Sequence, residues 1–246
     1  MVVRTLSLVL LLLLLSACVS TELKPKPKPH FTLGLSYLES GNPTLALKEF
    51  LQAEKNDPKN AEVHAGLARA YQMKKAYELA EQEYFKALKL SDNKPEYQNN
   101  LAALYITMER WDQAIEYFSK AASNLLFMHS ELALMGKGYA YYRKGDYPAA
   151  LAAYREAEAI APRLATLHFH KGETYAAMGH ADLAKEAYQK AIFYAPAYSE
   201  ARYQLAVLLL KEKQIDEAKK NLAVIVEKDS TSEWGRKAAE FLKALK

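Results

Sequence analysis

The chain has 246 residues, of which 50% are hydrophobic and 25% charged, and its 33 basic and 29 acidic side chains give a formal charge of +4. These proportions are ordinary for a globular protein, and so small a positive excess argues against a nucleic-acid-binding protein, which usually carries a stronger basic face. Glycine and proline are scarce, at nine each, so the composition favours helices, and no alternating pattern typical of strands is present.

The first seventeen residues have the features of an export signal. Arg4 supplies a positive charge, and an apolar run from Leu6 to Leu15 follows that only Ser7 interrupts. This run is too short to span a bilayer, which needs about 20 residues, but it matches the apolar segment of a signal peptide. We therefore predict a signal peptide over residues 1–17.

The signal ends in Leu15-Ser16-Ala17-Cys18, which resembles the lipobox of bacterial lipoproteins. The resemblance implies that Cys18 is acylated, with palmitate-type chains, and becomes the new N-terminus. The alternative is that Cys18 is a buried, unmodified cysteine inside an uncleaved N-terminal membrane anchor. Cys18 is the only cysteine, so an intramolecular disulfide is excluded. Position 19 is Val rather than the Asp that retains lipoproteins in the inner membrane, so the resemblance implies an outer-membrane protein facing the periplasm.

A tether over residues 18–29 follows, and its last eleven residues read VSTELKPKPKP. Alternating Lys and Pro disfavour a helix, because proline removes hydrogen-bond donors and pushes the preceding residue into an extended conformation. At polyproline spacing of about 3.1 Å per residue, the tether reaches roughly 34 Å. Its lysines either contact anionic headgroups or are simply solvated.

A pattern with a period of 34 residues organises the rest of the chain. A large residue recurs at spacings of 34, 34, 36, 34 and 34, and an alanine follows each one nine residues later. The large residues are Tyr37, Tyr71, Tyr105, Tyr141, Tyr175 and Leu209, and the alanines are Ala46, Ala80, Ala114, Ala150, Ala184 and Ala218. An aromatic residue or leucine comes four residues after each alanine, and another alanine three residues later in five units.

This pattern resembles the tetratricopeptide repeat over residues 27–232. The resemblance implies an all-α, right-handed α-solenoid of six helix pairs, with boundaries at 27–60, 61–94, 95–130, 131–164, 165–198 and 199–232. The two alanines of a unit lie seven residues apart on one helix stripe, so the second helix can approach the first closely. Residues 233–246 are predicted to form a capping helix, which makes thirteen helices.

No catalytic constellation is present in the sequence, and we predict neither an enzyme nor a cofactor. His30, His64 and His168 fall at the fourth position of their repeats, where the family often has Trp, so we interpret them as structural and predict no metal site.

The plausible site is the concave groove, which in this family is lined by positions 2, 5, 9 and 12 of each first helix. Exposed aromatic side chains in a concavity suit an extended peptide or an amphipathic segment. The alternative is that some of these side chains pack between neighbouring hairpins. The candidate partner-binding residues are Phe31, Leu35, Leu38, Arg69, Gln72, Met135, Tyr139, Tyr142, Phe169 and Tyr203.

Signal, lipobox, tether and six repeats together resemble the type IV pilus pilotin family, PilF or PilW. The segment Asn99-Asn100-Leu101-Ala102 and residues 121–127 (AASNLLF) are the closest parts, and the two extra residues of the period fall after the third repeat, as in that family. The resemblance implies a monomer that assists insertion and multimerisation of an outer-membrane secretin. Two alternatives are an adaptor of outer-membrane β-barrel assembly and an adaptor of peptidoglycan enzymes.

Overall fold

A computed structural model of the protein describes residues 29–245, so the predicted signal peptide, Cys18 and the tether up to residue 28 lie outside the described residues. The described part contains thirteen α-helices and no strand, which confirms the all-α prediction. The helices are α1 (Pro29–Glu39), α2 (Pro43–Asn56), α3 (Ala61–Met73), α4 (Tyr77–Leu90), α5 (Pro95–Thr107), α6 (Trp111–Ala122), α7 (Ser130–Lys144), α8 (Tyr147–Ile160), α9 (Ala165–Ala177), α10 (Ala181–Tyr194), α11 (Ser199–Lys211), α12 (Ile215–Lys228) and α13 (Glu233–Ala244).

Each helix packs mainly against the next one along the chain, as a solenoid requires. The alanine that opens the contact between the two helices of a pair is fully buried, at 0% exposure, in all six units. A larger side chain there would hold the two helix axes apart. The burial of Ala46 through Ala218 therefore confirms the repeat register that the sequence predicts.

The turn inside each pair uses one residue in the left-handed region. In the fourth unit this residue is Gly145, with φ +85°, and the next residue, Asp146, donates its backbone N–H to the carbonyl of Tyr141 at 2.9 Å. This bond satisfies a carbonyl that the end of α7 would leave without a partner. The Asp146 carboxylate then accepts the Ala149 N–H at 3.1 Å and caps the start of α8.

The aromatic ring of the second helix lies directly over a glycine of the first helix in three units. An ideal Cβ at Gly138 would stand 2.4 Å from Cε1 of Tyr154, and Cβ atoms at Gly34 and Gly172 would meet Phe50 and Tyr188 at 2.6 Å. Such approaches are possible only without a side chain. The glycine and the ring are therefore one packing unit.

The last hairpin is covered by α13, whose Ser232 side chain accepts the Gly235 N–H at 3.0 Å and caps the helix. Trp234 and Phe241 of α13 pack against Tyr203 of α11, with ring centroids at 5.2 and 6.1 Å. The predicted capping helix is thus present. Among residues 29–245, no helix combines the length and apolar character that crossing a bilayer requires.

Replacing Ala150 with leucine should overpack the α7–α8 contact and lower the free energy of unfolding by about 1–3 kcal/mol. Ala150 is fully buried, whereas Ala159 on the same helix is exposed. Ala159→Leu is therefore the control and should change stability by less than about 0.5 kcal/mol. Urea denaturation measures both, and equal stability of the two variants would contradict the register.

Candidate partner-binding groove

The face formed by the first helices carries an open pocket of about 250 Å³ between α5, α7 and α9. We call it the central pocket. Its lining is mostly apolar and comes from the third, fourth and fifth repeats: Ala103, Ile106, Phe118, Leu132, Met135, Gly136, Tyr139 and His170. Its volume suits one or two large side chains of a partner, with the apolar lining supplying the affinity.

The floor of the central pocket depends on Gly136. A Cβ at this position would stand 2.4 Å from Cζ of Phe118, so only glycine lets that ring rise between α5 and α7. Phe118 is the aromatic residue that the repeat pattern places four positions after Ala114. Neither Phe118 nor Gly136 was among the predicted groove residues. The sequence does contain a signal for this feature. Glycine inside a helix destabilises the helix by about 1 kcal/mol relative to alanine, so a glycine there indicates that another group approaches the helix closely.

Aromatic rings form one wall of the pocket. The Tyr139 ring lies 5.6 Å from the His170 ring, which in turn stacks on the buried Tyr154 at 6.2 Å and 14°. Arg143 donates a hydrogen bond to the Tyr139 hydroxyl at 3.0 Å, and its guanidinium also lies 4.6 Å from the centre of the Trp111 ring. Tyr139 is therefore held in place before any partner arrives, which reduces the entropy lost on binding.

Carboxylates border the aromatic wall on the side towards α11. Nδ1 of His170 lies 2.9 Å from Oε2 of Glu173. Burial, and then the neighbouring Glu173 carboxylate, raise the pKa of the Glu200 carboxyl. Burial, followed by the charge of Glu173, also raises the pKa of the Tyr142 hydroxyl. A positive charge or a hydrogen-bond donor on a partner would relieve this crowding of negative charge.

The structure brings only some of the predicted groove residues together. Met135 and Tyr139 line the central pocket, and Tyr142 is half-buried beside them, with its ring 6.3 Å from that of Tyr139. Arg69 is exposed and Gln72 partly exposed on α3, outside this pocket.

The N-terminal candidates Phe31 and Leu35 are half-buried against the first core cluster. Phe31 lies 5.9 Å from the Phe50 ring. These two side chains form the start of the groove and are separate from the central pocket.

Two predicted groove residues belong to the core, so their assignment to an open surface is wrong. Leu38 is 5% exposed and packs in the first core cluster. Phe169 is 3% exposed between the rings of Tyr188 and Tyr198, at 5.8 and 5.2 Å. Both face the next hairpin and are covered by it. Tyr203 keeps partial exposure, but α13 covers one side of its ring.

The fourth position of the repeat ties a helix to the loop before it. Nε2 of His64 lies 2.9 Å from the carbonyl oxygen of Pro58, and Nε2 of His168 lies 2.8 Å from that of Pro162. Arg202 donates to the carbonyl of Pro196 from the same position, at 3.1 Å. These bonds agree with the structural interpretation of the buried histidines. His30 instead contacts Glu49 at 2.7 Å.

Glu54, His64 and Glu83 bring possible metal-ligand atoms within 4.8 Å of one another. Both Glu83 oxygens already have partners, because Nδ1 of His64 and Nζ of Lys86 each lie at 2.7 Å. A metal ion would have to displace these bonds. The arrangement is an ion-pair network between α3 and α4, with Lys86 as its cation.

Comparison with known proteins decides the family. Family models of the tetratricopeptide repeat match residues 31–97, 95–123, 138–179 and 175–241. The chain is a tetratricopeptide-repeat protein. Tetratricopeptide repeats are non-enzymatic protein-interaction modules, so the chain is a protein-binding scaffold, and the prediction that it is not an enzyme is confirmed on this ground.

Among curated proteins, the tetratricopeptide chain is similar to the type IV pilus assembly protein PilF of Pseudomonas aeruginosa, with 31% identity over 98 residues. The match covers 40% of this chain and 39% of that protein. A Haemophilus influenzae protein of unspecified function is 31% identical over 97 residues, which are 39% of this chain and 54% of that one.

Among solved structures, the fold matches PilW, described as a widely conserved type IV pilus biogenesis factor, with a TM-score of 0.76 and 19% identity over 85% of this chain and 96% of that one. The Pseudomonas aeruginosa PilF structure gives a TM-score of 0.71 and 18% identity, with 86% and 96% coverage. The chain therefore shares its fold with PilF and PilW, and over 98 residues its sequence is similar to that of PilF, in agreement with the predicted resemblance.

Proposed function

We propose that this protein is a lipid-anchored assembly factor, or pilotin, for the outer-membrane secretin of a type IV pilus. The observation that carries the proposal is an open, ring-lined pocket on the groove face of a chain related to PilF. The bound partner is a segment of the secretin subunit. No chemical step is involved, and binding itself is the function.

The chemistry of the groove defines the segment that it takes. The central pocket accepts a large apolar side chain between Met135 and Tyr139. The Glu173 and Glu200 carboxylates, one first helix further along, favour a basic or donor side chain there. An extended or helical peptide with a large apolar residue followed by a positively charged residue would fit both the central pocket and the neighbouring carboxylates.

The anchor defines where binding takes place. The lipobox-like segment ending at Cys18 supports acylation, and Val19 supports sorting to the outer membrane with the body in the periplasm. The tether then limits the body to roughly 34 Å from the bilayer. A newly exported secretin segment would be held beside the membrane into which the secretin inserts.

Truncating the aromatic wall should weaken retention of the secretin. We expect Tyr139→Ala to reduce the affinity at least about tenfold, because rigid aromatic residues in a pocket commonly act as binding hot spots. The matched control is Phe85→Ala, since Phe85 is 43% exposed on the second helix of its hairpin, on the opposite face. Titration of purified secretin onto the immobilised full chain measures both variants.

Circular dichroism and a thermal melt establish that Tyr139→Ala remains folded. Equal retention by Tyr139→Ala and Phe85→Ala would reject the groove as the binding site. The pilus role itself is tested by deleting the gene: normal secretin multimers in the deletion strain, with no retention of secretin by the native chain, would reject it.

A further inference from the structure

The connection between α6 and α7 differs from every other connection between repeats in the described residues. We call residues 123–129 the junction loop. The other five connections have four residues each, whereas the junction loop has seven. Its sequence is SNLLFMH, and those of the other five are DPKN, SDNK, APRL, APAY and DSTS. Large apolar residues thus concentrate in the one connection that is long enough to project.

The junction loop has a defined conformation. Phe127 is 6% exposed and anchors the loop in the core. The Leu126 N–H donates to Oδ1 of Asn124 at 2.9 Å, and the Phe127 N–H donates to the Asn124 carbonyl at 3.0 Å. This turn directs the neighbours of Phe127 outwards, and Leu125, Leu126 and Met128 are 100%, 86% and 87% exposed.

These side chains are not isolated on their edge of the solenoid. Because successive helices alternate in direction, the second helix of each repeat ends, and the first helix of each repeat begins, at the same edge of the solenoid. Ile160 and Phe193 lie in the last turns of α8 and α10 at this edge. Together with the three apolar side chains of the junction loop, they are all the large hydrophobic residues between positions 29 and 245 that are more than half exposed.

The same edge is where the chain leaves towards its N-terminus. The first helix, α1, begins at Pro29, so the tether departs from the edge that carries the junction loop. Pro29 follows Cys18 by eleven positions, which correspond to roughly 34 Å at polyproline spacing. A lipid on Cys18 therefore holds this edge, rather than the opposite one, close to the bilayer.

We propose that the junction loop is a second membrane contact, with Leu125, Leu126 and Met128 inserted into the interfacial region of the bilayer. The proposal rests on the lipid anchor of the proposed function. Lys94 and Arg163, both exposed in the two flanking connections, supply positive charge towards anionic headgroups. The partner of the apolar loop is a lipid surface, because the tether holds this edge of the solenoid close to the bilayer.

The contact fixes the orientation of the solenoid. An acyl anchor at Cys18 would attach the body at one point, whereas an inserted loop adds a second point of attachment. The connections between repeats then face the bilayer and the turns inside the hairpins face away from it. The groove runs between these two edges and stays open to the aqueous side.

Depth-dependent fluorescence quenching tests the insertion on the full, lipidated chain. The chain is reconstituted into vesicles of phosphatidylethanolamine and phosphatidylglycerol, with or without lipids brominated on their acyl chains. Leu126→Trp places a probe in the loop, and Leu183→Trp places a matched probe at the start of α10, on the opposite edge, where Leu183 is 45% exposed. We expect brominated lipid to quench the probe at position 126 and leave the probe at position 183 at the level of the native chain.

A second variant distinguishes membrane insertion of the loop from self-association through the loop. Leu125→Ser, Leu126→Ser and Met128→Ser together, in a Cys18→Ser chain, should lower the partition coefficient onto the same vesicles at least about tenfold relative to Cys18→Ser alone. Absence of quenching at position 126 would overturn the proposal, as would a drop in oligomeric mass of the serine variant without a change in vesicle binding. Failure of the native chain to enter vesicles would instead indicate that Cys18 carries no lipid.

Discussion

Replacing Tyr154 with alanine is expected to lower the free energy of unfolding by about 3–5 kcal/mol. The ring is fully buried, at 0% exposure, in a cluster with Leu134, Ala150 and Leu167. The neighbouring alanines and Gly138 are too small to fill the space that the ring leaves, so most of the cavity remains open. Urea denaturation followed by circular dichroism measures the loss.

Phe193→Ala is the control for this prediction, because the Phe193 ring is 77% exposed. It should leave stability within about 0.5 kcal/mol of the native chain. A loss below about 1 kcal/mol for Tyr154→Ala would contradict the burial of the ring.

A double-mutant cycle tests the partnership between Tyr154 and Gly138. Gly138→Ala alone introduces a Cβ that would stand 2.4 Å from the ring and should be destabilising. The same substitution in a Tyr154→Ala chain meets no ring, so its effect should be much smaller. We expect a coupling free energy of at least about 1 kcal/mol between the two positions, and strict additivity would show that the ring does not depend on the glycine.

Replacing Cys18 with serine is expected to move the protein from the membrane fraction to the soluble periplasm. Cys18 is the only cysteine of the chain, and serine offers no thiolate for acylation. To avoid anchoring by an uncleaved signal, residues 1–17 are exchanged for a signal peptide that general signal peptidase removes. Stable anchoring takes two or more acyl chains, so their loss should release nearly all of the protein.

Val19→Asp is the matched control for the anchor. It changes the neighbouring residue but keeps Cys18, so the protein should remain in the membrane fraction. Mass spectrometry of the mature N-terminus shows whether Cys18 carries lipid. Persistent, salt-resistant membrane retention of the Cys18→Ser chain would contradict the lipid anchor, whereas weak and reversible association is what the junction loop alone would provide.

The repeat architecture followed from the sequence because its determinants are local and periodic. The alanines from Ala46 to Ala218 are separated by one repeat length, and each must be small for its own hairpin to close. The capping helix followed from the same logic, since the last hairpin of an array needs a cover. Each unit buries its face only against its neighbours, so a pattern in the sequence maps directly onto a contact.

The groove was only partly predictable, because a repeat position does not reveal what the neighbouring hairpin covers. Met135 lines the central pocket, but Phe169 at the same repeat position is buried. Tyr142 is half-buried, but Leu38 at the same repeat position is buried. The local superhelical arrangement of neighbouring hairpins decides which of these side chains remains exposed to solvent. The same geometry brings Phe118 under Gly136 and so creates the floor.

The sequence by itself determined the helix pairs, their register and the cap, because short-range spacing encodes each of them. The tertiary structure alone decided where the solenoid is open and which edge the tether and the junction loop share. Those features depend on the relative direction of helices far apart in the chain, and no local pattern of residues specifies it.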